Sequence, residues 1–316
     1  MTNAAARFPL GPFTPYSGNP ILRPRGGSWE SSNLYNPAAI VVGDEVLLLY
    51  RAHADDIVSH VGLARSSDGL NFTREENPIL SPVHDYESHG CEDPRVTLIG
   101  DTFYLTYTGY DGTTAQLCLA TSTDLHHWER HGPLFPGFDT FAPVSGDRSR
   151  TWSKAGVIHP EPIDGRYYMY FGEGAIFSAT STDLLTWTPC ANDAPIYRPT
   201  PDSWDADLVE IGAPPVVTDD GLLVFLSNGA RTAGEGVDYR CGQFAIALSD
   251  PTTVIARMTV PWLRPQTYED LNGLVANVTF VEGLVHFQGR WLAYYGQADT
   301  TLAVAVFDPQ RDSWRS

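Results

Sequence analysis

The stretch EDPRVTLIGDTFYLTYTGYDG, residues 92–112, decides the fold because its pattern returns along the whole chain. An acidic pair opens a β-prone run, a Gly-Asp turn follows, and a second, aromatic-rich run ends on polar residues. Two apolar runs joined by a tight turn are typical of a β-hairpin. The next segment, QLCLATSTDLHHW (116–128), adds a third predicted strand that closes on Ser-Thr-Asp and an aromatic residue. The unit is therefore predicted to be a small antiparallel sheet.

The same order of elements recurs four more times, at a spacing of about 55 to 70 residues. The hairpin parts of these copies are NPAAIVVGDEVLLLYRAH (36–53), KAGVIHPEPIDGRYYMYFGEG (154–174), EIGAPPVVTDDGLLVFLSNGA (210–230) and NVTFVEGLVHFQGRWLAYYGQAD (277–299). Repeats of this length suit four-stranded blades arranged around an axis. The sequence therefore predicts an all-β, five-bladed β-propeller that forms a single domain over residues 1–316.

The tetrapeptide NPIL occurs at residues 77–80, after the first unit, and again at residues 19–22. The first of these positions is that of an outer strand. The copy near the N-terminus is therefore predicted to complete the last blade. Ring closure by the N-terminal segment would leave no long open sheet edge, which an all-β chain has to avoid.

The chain carries 38 acidic and 20 basic residues, a formal net charge of −18. Such a surface repels nucleic acids and anionic membranes, so we expect neither as a partner. The longest apolar runs, such as Val46–Tyr50, have the length of a strand and are far too short to span a bilayer. Four widely spaced cysteines, and a start without the pattern of a secretory signal, favour reduced thiols in a soluble, cytoplasmic protein.

Within each hairpin, the start of the first strand and the end of the second lie at the same end of the blade. The inner strands of a propeller line its central channel, so these positions should ring one mouth. The strand starts are Asn36, Glu92, Asp93, Lys154, Glu210 and Asn277, and the strand ends are Arg51, Thr108, Glu173, Asn228, Gln297 and Asp299. The scaffold residues repeat while these positions diverge into charges and amides, which favours a functional role.

Three carboxylates stand out in this ring: Asp93, Glu173 and Glu210. Like charges raise one another's pKa and nearby cations lower it. Such a mixture can keep one carboxyl group protonated as a general acid and another ionised as a general base. Cleavage of a glycosidic bond requires that pair, and a wide separation of the two groups gives inversion. The neighbouring cations are Arg51, Arg95 and Lys154, and the candidate stacking aromatics are Tyr107, Tyr110, Phe171, Tyr294 and Tyr295.

Each of these residues also has a purely structural interpretation. Asp93 precedes a proline and Glu173 lies between two glycines, so both could be turn residues. Arg51 and Lys154 could serve as structural ion-pair partners. The loosely grouped histidines at positions 53, 60, 84 and 89 lack a metal-ligand spacing. We therefore expect neither a metal ion nor an organic cofactor.

Six strings resemble, in the right order and over nearly the whole chain, glycoside hydrolase family 130. They are YNPAA (35–39), CEDPRV (91–96), WSKAGVI (152–158), EIGAPPVVT (210–218), NVTFVEG (277–283) and YYGQAD (294–299). The resemblance implies a five-bladed propeller that acts as a β-mannosidase or a β-mannoside phosphorylase. It also implies that Asp93 is the general acid, acting through a hydroxyl of the mannose itself. The sugar- or anion-facing residues that it implies are Asn36, Arg51, Arg95, Lys154, Tyr295 and Asp299.

Two departures from the phosphorylase pattern favour hydrolysis. Phosphorylases of this family carry a phosphate-holding His-Arg pair where this chain has Gly172-Glu173, and they tend to carry a His before the glycine where it has Asn228. A carboxylate at Glu173 would repel a phosphate dianion. The string at Glu210 is similar to the hydrolytic branch, where two glutamates are candidates for activating water.

The sequence analysis therefore predicts a catalytic propeller, an inverting glycosidase that releases mannose from β-linked, foremost β-1,2-linked, mannosides. Its partner would be a mannose-containing oligosaccharide. The alternatives are a β-mannoside phosphorylase that forms mannose 1-phosphate and a non-catalytic glycan-binding propeller. A furanoside-acting propeller would need its acids in other string contexts. Long predicted loops at residues 138–151 and 230–240 could cover the mouth or join subunits of a homo-oligomer. The leaving sugar, and which glutamate is the base, stay open.

Overall fold

Each repeat forms its own antiparallel sheet, and the five sheets follow one another along the chain. The computed structural model of the protein describes residues 8, 10–145, 151–234 and 236–312. The prediction of an all-β, five-bladed propeller is confirmed. Among the described residues, no helix is long and apolar enough to cross a bilayer.

The strands are short and most of them follow the predicted hairpins. The first strand is β1 (Thr14–Pro15). The first two sheets contain β2 (Asn33–Val42), β3 (Glu45–His53), β4 (His60–Ser66), β5 (Thr73–Arg74), β6 (Gly90–Ile99), β7 (Thr102–Tyr110), β8 (Ala115–Ser122) and β9 (Glu129–Pro133). The third sheet contains β10 (Val157–Ile158), β11 (Tyr167–Phe171), β13 (Phe177–Ser181) and β14 (Thr188–Pro189).

The last two sheets complete the ring. The fourth contains β12 (Glu173–Gly174), β15 (Leu208–Ile211), β16 (Val216–Val217), β17 (Leu222–Ala233), β18 (Gly236–Ala247) and β19 (Val254–Arg257). The fifth contains β20 (Thr279–Phe287), β21 (Arg290–Gln297), β22 (Thr301–Phe307) and β1. The helical segments are a 3₁₀ turn (Asp85–Glu87), α1 (Ala142–Ser145), α2 (Tyr268–Leu271) and α3 (Pro309–Asp312).

The N-terminal segment closes the ring, as predicted. Strand β1 pairs with β22, so that a strand from the start of the chain lies beside one from its end. The two NPIL copies make equivalent bridges to the third strands of their blades, Leu22 to Leu302 and Leu80 to Val61. Repeated sequence thus corresponds to repeated structure.

The Ser-Thr-Asp motif that ends the third strands of the second and third blades builds a turn. The Ser122 hydroxyl accepts the Leu125 N–H, and Asp124 accepts two further backbone N–H groups. Trp128 donates its indole N–H to the Leu125 carbonyl and packs on the core cluster between the first two blades. The indole of Trp187 makes the equivalent hydrogen bond in the third blade. Both tryptophans are therefore packing residues.

One of the two predicted loops is a hairpin. The strands β17 and β18 remain paired through Arg231 with Asp238 and Thr232 with Val237. The β-branched residues near the tip favour this extended pairing. The other predicted loop, 138–151, includes residues 146–150, which lie outside the described residues.

Inner strands approach so closely at the axis that some positions accept only glycine. A Cβ atom on Gly283 of β20 would lie 2.7 Å from the Pro37 carbonyl oxygen and 2.8 Å from the Ala39 Cβ on β2. This contact joins the fifth blade to the first. The glycine therefore sets how near its neighbours come to the axis.

The variant Gly283→Ala should lower the free energy of unfolding by about 1–3 kcal/mol, because the added methyl group overpacks two backbone strands. Urea denaturation measures this change. Gly26→Ala is the matched control, since a Cβ there meets nothing within 4 Å, and its effect should stay within about 0.5 kcal/mol. Equal stability of the two variants would contradict the packing argument.

Candidate active site

A cavity of about 320 Å³ opens where the five repeats meet. Every repeat contributes to its walls. The lining residues are Tyr35, Asn36, Arg51, Asp93, Lys154, Glu173, Glu210, Val237, Tyr239, Val275, Val278, Phe280 and Asp299. The three carboxylates singled out from the sequence therefore face one space.

β-Bulges aim two of these side chains into the cavity. Asn36 is skipped in the β2–β3 register, and Asp93 lies at a similar shift between β6 and β7. Their φ angles are 51° and 48°, in the left-handed region. A bulge turns its side chain out of the alternation of the strand. Strained backbone of this kind is common at functional sites.

Arg51 connects the first blade to the second. Its Nη1 donates to Asp93 Oδ1 at 2.9 Å and its Nη2 donates to Glu92 Oε1 at 2.6 Å. The guanidinium lies 4.4 Å from the centre of the Tyr35 ring, a cation–π contact. Glu92 is buried and does not line the cavity. Its role in the geometry is to hold Arg51.

Lys154 lies between two of the carboxylates. Its Nζ is 3.2 Å from Asp93 Oδ2 and 3.6 Å from Glu173 Oε2. Asp93 therefore has a cation on each of its two oxygens. The ammonium group also bridges the second and third blades.

Glu173 and Glu210 are directly opposed across the β12–β15 pair. Below them lies Arg95, which is 1% exposed. Its Nη2 is 3.5 Å from Glu210 Oε1 and donates to the Ile211 carbonyl at 2.7 Å. Arg95 is absent from the cavity wall and supports Glu210 from behind.

Burial and charge move the carboxyl pKa values in opposite directions. Burial alone would raise the pKa of Asp93, but Lys154, Arg51 and Arg95 outweigh it and hold that pKa below its usual range. Burial, followed by repulsion from Glu173, raises the pKa of Glu210 well above its usual range. These directions favour an ionised Asp93 and a protonated Glu210, the reverse of the expected acid and base.

Asp299 lies on the fifth-blade side of the cavity. Its burial raises its pKa to about 6, against the opposing attraction of Arg51. The centre thus contains several carboxyl groups that favour keeping a proton.

The remaining wall is mostly apolar. Its residues were not singled out from the sequence, although Val237 and Tyr239 lie in the 230–240 segment that could cover the mouth. This wall comes from the β18 side of the fourth blade and from the segment that leads into β20. Its members are Val237, Tyr239, Val275, Val278 and Phe280. A cavity with one charged and one apolar wall suits a sugar ring, which presents hydroxyl groups at its edge and C–H groups on its faces.

Besides Glu92 and Arg95, three predicted substrate-binding residues lie away from the cavity wall. Tyr107 is buried in the core and donates to Glu87 Oε2 at 2.7 Å. The Tyr295 hydroxyl accepts from the Asn19 amide. Asn228 bonds the backbone N–H and carbonyl of Val281. None of the three therefore lines the cavity. Tyr107 and Tyr295 take the core face of their strands, since alternate residues of a strand face opposite sides of its sheet, and Asn228 is held against β20 by its bonds to Val281.

The other suggested stacking aromatics also lie outside the wall. Tyr294 donates to the Gly69 carbonyl, and Phe171 packs in the core between the second and third blades. In the described part of the chain, no three His, Cys, Asp or Glu side chains are grouped so that they could hold a metal ion.

The sequence analysis also missed Glu282, which lies just behind the cavity and is fully buried. A signal for it exists. Asn36, Asp93 and Glu282 each precede the glycine of the following hairpin turn by seven positions. Counting back from that glycine, rather than forward from Asn277, would have placed Glu282 at the centre.

A closed ring with paired acids at its mouth defines the class: a propeller enzyme that processes carbohydrate. The family model described as β-1,4-mannooligosaccharide phosphorylase matches residues 19–311. The chain belongs to glycoside hydrolase family 130, as its strings indicated.

The relatives similar to this chain include proteins described as phosphorylases and one whose description mentions hydrolases. A 1,2-β-oligomannan phosphorylase of Thermoanaerobacter sp. (strain X514) is 34% identical, over 92% of this chain and 96% of the relative. The β-1,2-mannobiose phosphorylase of Listeria innocua, solved with β-1,2-mannobiose, is 25% identical with a TM-score of 0.79, over 96% of this chain and 98% of that one.

Another solved structure is 32% identical with a TM-score of 0.84, over 94% of both chains. Its description states that this family of mannoside phosphorylases contains glycoside hydrolases that target β-1,2 mannosidic linkages in Candida mannan. The curated relatives, being phosphorylases, support the phosphorylase alternative better than the hydrolase that the sequence analysis put first.

The variant Arg51→Lys should lower the free energy of unfolding by about 1–3 kcal/mol, the usual range for hydrogen bonds to charged groups. A lysine ammonium cannot replace a planar guanidinium that donates to two carboxylates and also stacks on the Tyr35 ring. Urea denaturation at pH 7 tests this. The control is Arg65→Lys, a more exposed arginine beside Glu75, which should change stability by less than about 0.5 kcal/mol.

Proposed function

We propose that this chain cleaves β-1,2-linked mannosides from the chain end, with inversion at the anomeric carbon. Family membership and the activities named for the relatives support the substrate class. A cavity of about 320 Å³ suits a terminal sugar better than the middle of a long chain. Its charged wall would bind hydroxyl groups, and its apolar wall would cover a ring face.

We further propose water as the nucleophile, and one observation carries this choice: Glu173 faces Glu210 beside Lys154. A phosphate dianion at this position would meet two carboxyl groups. Among the described cavity residues, Lys154 and Arg51 already contact carboxylates. A neutral water molecule is not repelled in this way, and a carboxylate can accept its proton.

In this proposal the reactive form carries one proton shared among Asp93 and the facing glutamates. Asp93 gives that proton, through a mannose hydroxyl, to the glycosidic oxygen as the bond to the leaving sugar breaks. Water forms the new bond to the anomeric carbon and gives its proton to Glu173 or Glu210. The proton thus ends on a glutamate. The lowered pKa of Asp93 and the raised pKa of Glu210 favour transfer in this direction when Glu210 is the acceptor.

Phosphorolysis is the second candidate, and the names of the curated relatives favour it. It would use the same acid, with phosphate in place of water and mannose 1-phosphate as the product. The two reactions are separated by incubating the chain with β-1,2-mannobiose in phosphate-free buffer and in phosphate. We expect free mannose in both. Turnover that requires phosphate and yields mannose 1-phosphate would establish the second candidate.

The variant Glu173→Gln should lose about two or more orders of magnitude in kcat for mannose release, because a group that accepts or orients a proton is gone. Glu161→Gln, an exposed carboxylate of the same blade, is the control and should keep full activity. A phosphorylase would be affected much less, since its nucleophile needs no base there. Product analysis of both variants distinguishes the outcomes.

The pH profile of kcat/KM should have its alkaline limb well above the usual pKa of a glutamate. The reactive form needs one proton, and the raised pKa of Glu210 keeps that proton bound as the pH rises. Activity is lost only when the pH passes through this raised pKa. Rates measured across the pH range, with stability checked at each pH, test this. An alkaline limb near the usual pKa of a glutamate would contradict this prediction.

A further inference from the structure

Glu282 is a fully buried carboxyl group that the proposed reaction does not use. It occupies a third β-bulge, where the register of β20 and β21 shifts between Val281 and Gly283. The bulge directs its side chain toward the axis, like those of Asn36 and Asp93 in their blades. Glu282 itself is absent from the cavity wall.

One oxygen of Glu282 holds two residues of the site. Its Oε1 accepts from the Asn36 amide at 2.7 Å and lies 3.0 Å from Arg95 Nη2. Asn36 lines the cavity, whereas Arg95 supports Glu210. Glu282 therefore connects the first, second and fourth blades behind the reacting groups.

Arg95 is a single cation shared by two buried glutamates. Its Nη2 contacts Glu282 at 3.0 Å and Glu210 at 3.5 Å. The second oxygen of Glu282, Oε2, is buried without a hydrogen-bond partner among the described residues. Such an atom is unfavourable when it carries charge and acceptable in a protonated carboxyl group.

The other charged neighbours come from several elements. Arg95 and Asp93 face Glu282 from β6, the Asn36 amide faces it from β2, and Lys154 faces it from the segment before β10. Glu210, on β15, reaches it through Arg95. Burial raises the pKa of Glu282 to about 8, against the attraction of Arg95. Its charge therefore changes within the pH range in which the enzyme would be assayed.

We propose that Glu282 is a positioning residue that orients Asn36 at the cavity and, by competing for Arg95, controls the charge of Glu210. When Glu282 is an anion, it takes part of the stabilisation that Arg95 would give to a Glu210 carboxylate. Glu210 then keeps its proton to a higher pH. The inference rests on the proposed function in so far as Glu210 belongs to the reaction.

The test compares Glu282→Gln with the parent chain. Glutamine keeps an oxygen that accepts from Asn36 and Arg95, but it never carries charge. Arg95 is then left to Glu210 alone, so the alkaline limb of kcat/KM should move to lower pH by about half a unit or more. KM at pH 6 should stay within about threefold, because glutamine keeps the hydrogen bond from the Asn36 amide.

A matched control is Glu87→Gln. Glu87 is also fully buried, accepts from Tyr107 and pairs with Arg130, away from the cavity. This variant should lose stability without moving the pH profile. An unchanged profile in Glu282→Gln, or an equal shift in Glu87→Gln, would overturn the proposal.

A third variant tests the hold on Asn36. Glu282→Leu removes the acceptor, so KM should rise by about tenfold or more, the cost of leaving a buried polar partner unpaired. A KM equal to that of Glu282→Gln would show that Asn36 does not depend on this residue. Thermal unfolding of each variant confirms that folded protein is compared.

A readout without turnover separates failure of this inference from failure of the proposed function. Infrared spectra show protonated carboxyl groups as a distinct C=O stretching band. At pH 7, Glu282→Gln should lose one such group relative to the parent. Loss of the intensity of one carboxyl group from this band, in a chain that cleaves no mannoside, would keep the assignment of Glu282 and refute only the function. If the chain is active and the band of Glu282→Gln equals that of the parent, the assignment of Glu282 as a protonated group is refuted.

Discussion

Three buried or half-buried cations, Arg51, Arg95 and Lys154, hold the centre of this propeller together. They face more carboxyl groups than they can neutralise. These groups are Glu92, Asp93, Glu173, Glu210, Glu282 and Asp299. An unpaired carboxylate is costly to bury, so the excess has to be met by bound protons. The raised pKa values of Glu210, Glu282 and Asp299 are the expression of this imbalance.

The ring architecture makes such an arrangement possible. Five blades bring their inner strands to one axis, and each blade is stabilised separately by its own turns and by packing between neighbours. The apolar clusters between blades lie away from the mouth. Residues at the mouth can therefore vary without loss of the core. Bulges at Asn36, Asp93 and Glu282 then give up regular pairing to aim polar groups inward. Local regularity is broken at the place where chemistry is expected.

The sequence predicts the architecture well because the scaffold repeats. Hairpin turns, the Ser-Thr-Asp turn and the two NPIL copies recur at fixed places, and they indicate the blades and the closure of the ring. The same alignment brings Asp93, Glu173 and Glu210 to one mouth. It does not say which face of a strand a side chain takes, and Tyr107 and Tyr295 fall on the core side. A one-residue change in phase is enough to exchange the two faces.

The protonation states of the carboxyl groups could not be predicted from the sequence for a related reason. Asp93 and Glu210 both look like carboxylates among cations, and only distances show that two cations contact Asp93 while Glu210 shares Arg95 with Glu282. The choice of nucleophile depends on the same balance. Relatives about one-third identical to this chain include a phosphorylase, so the fold accepts either reaction. In the proposal that water is the nucleophile, the excess of carboxyl groups over cations is the property that disfavours a phosphate dianion.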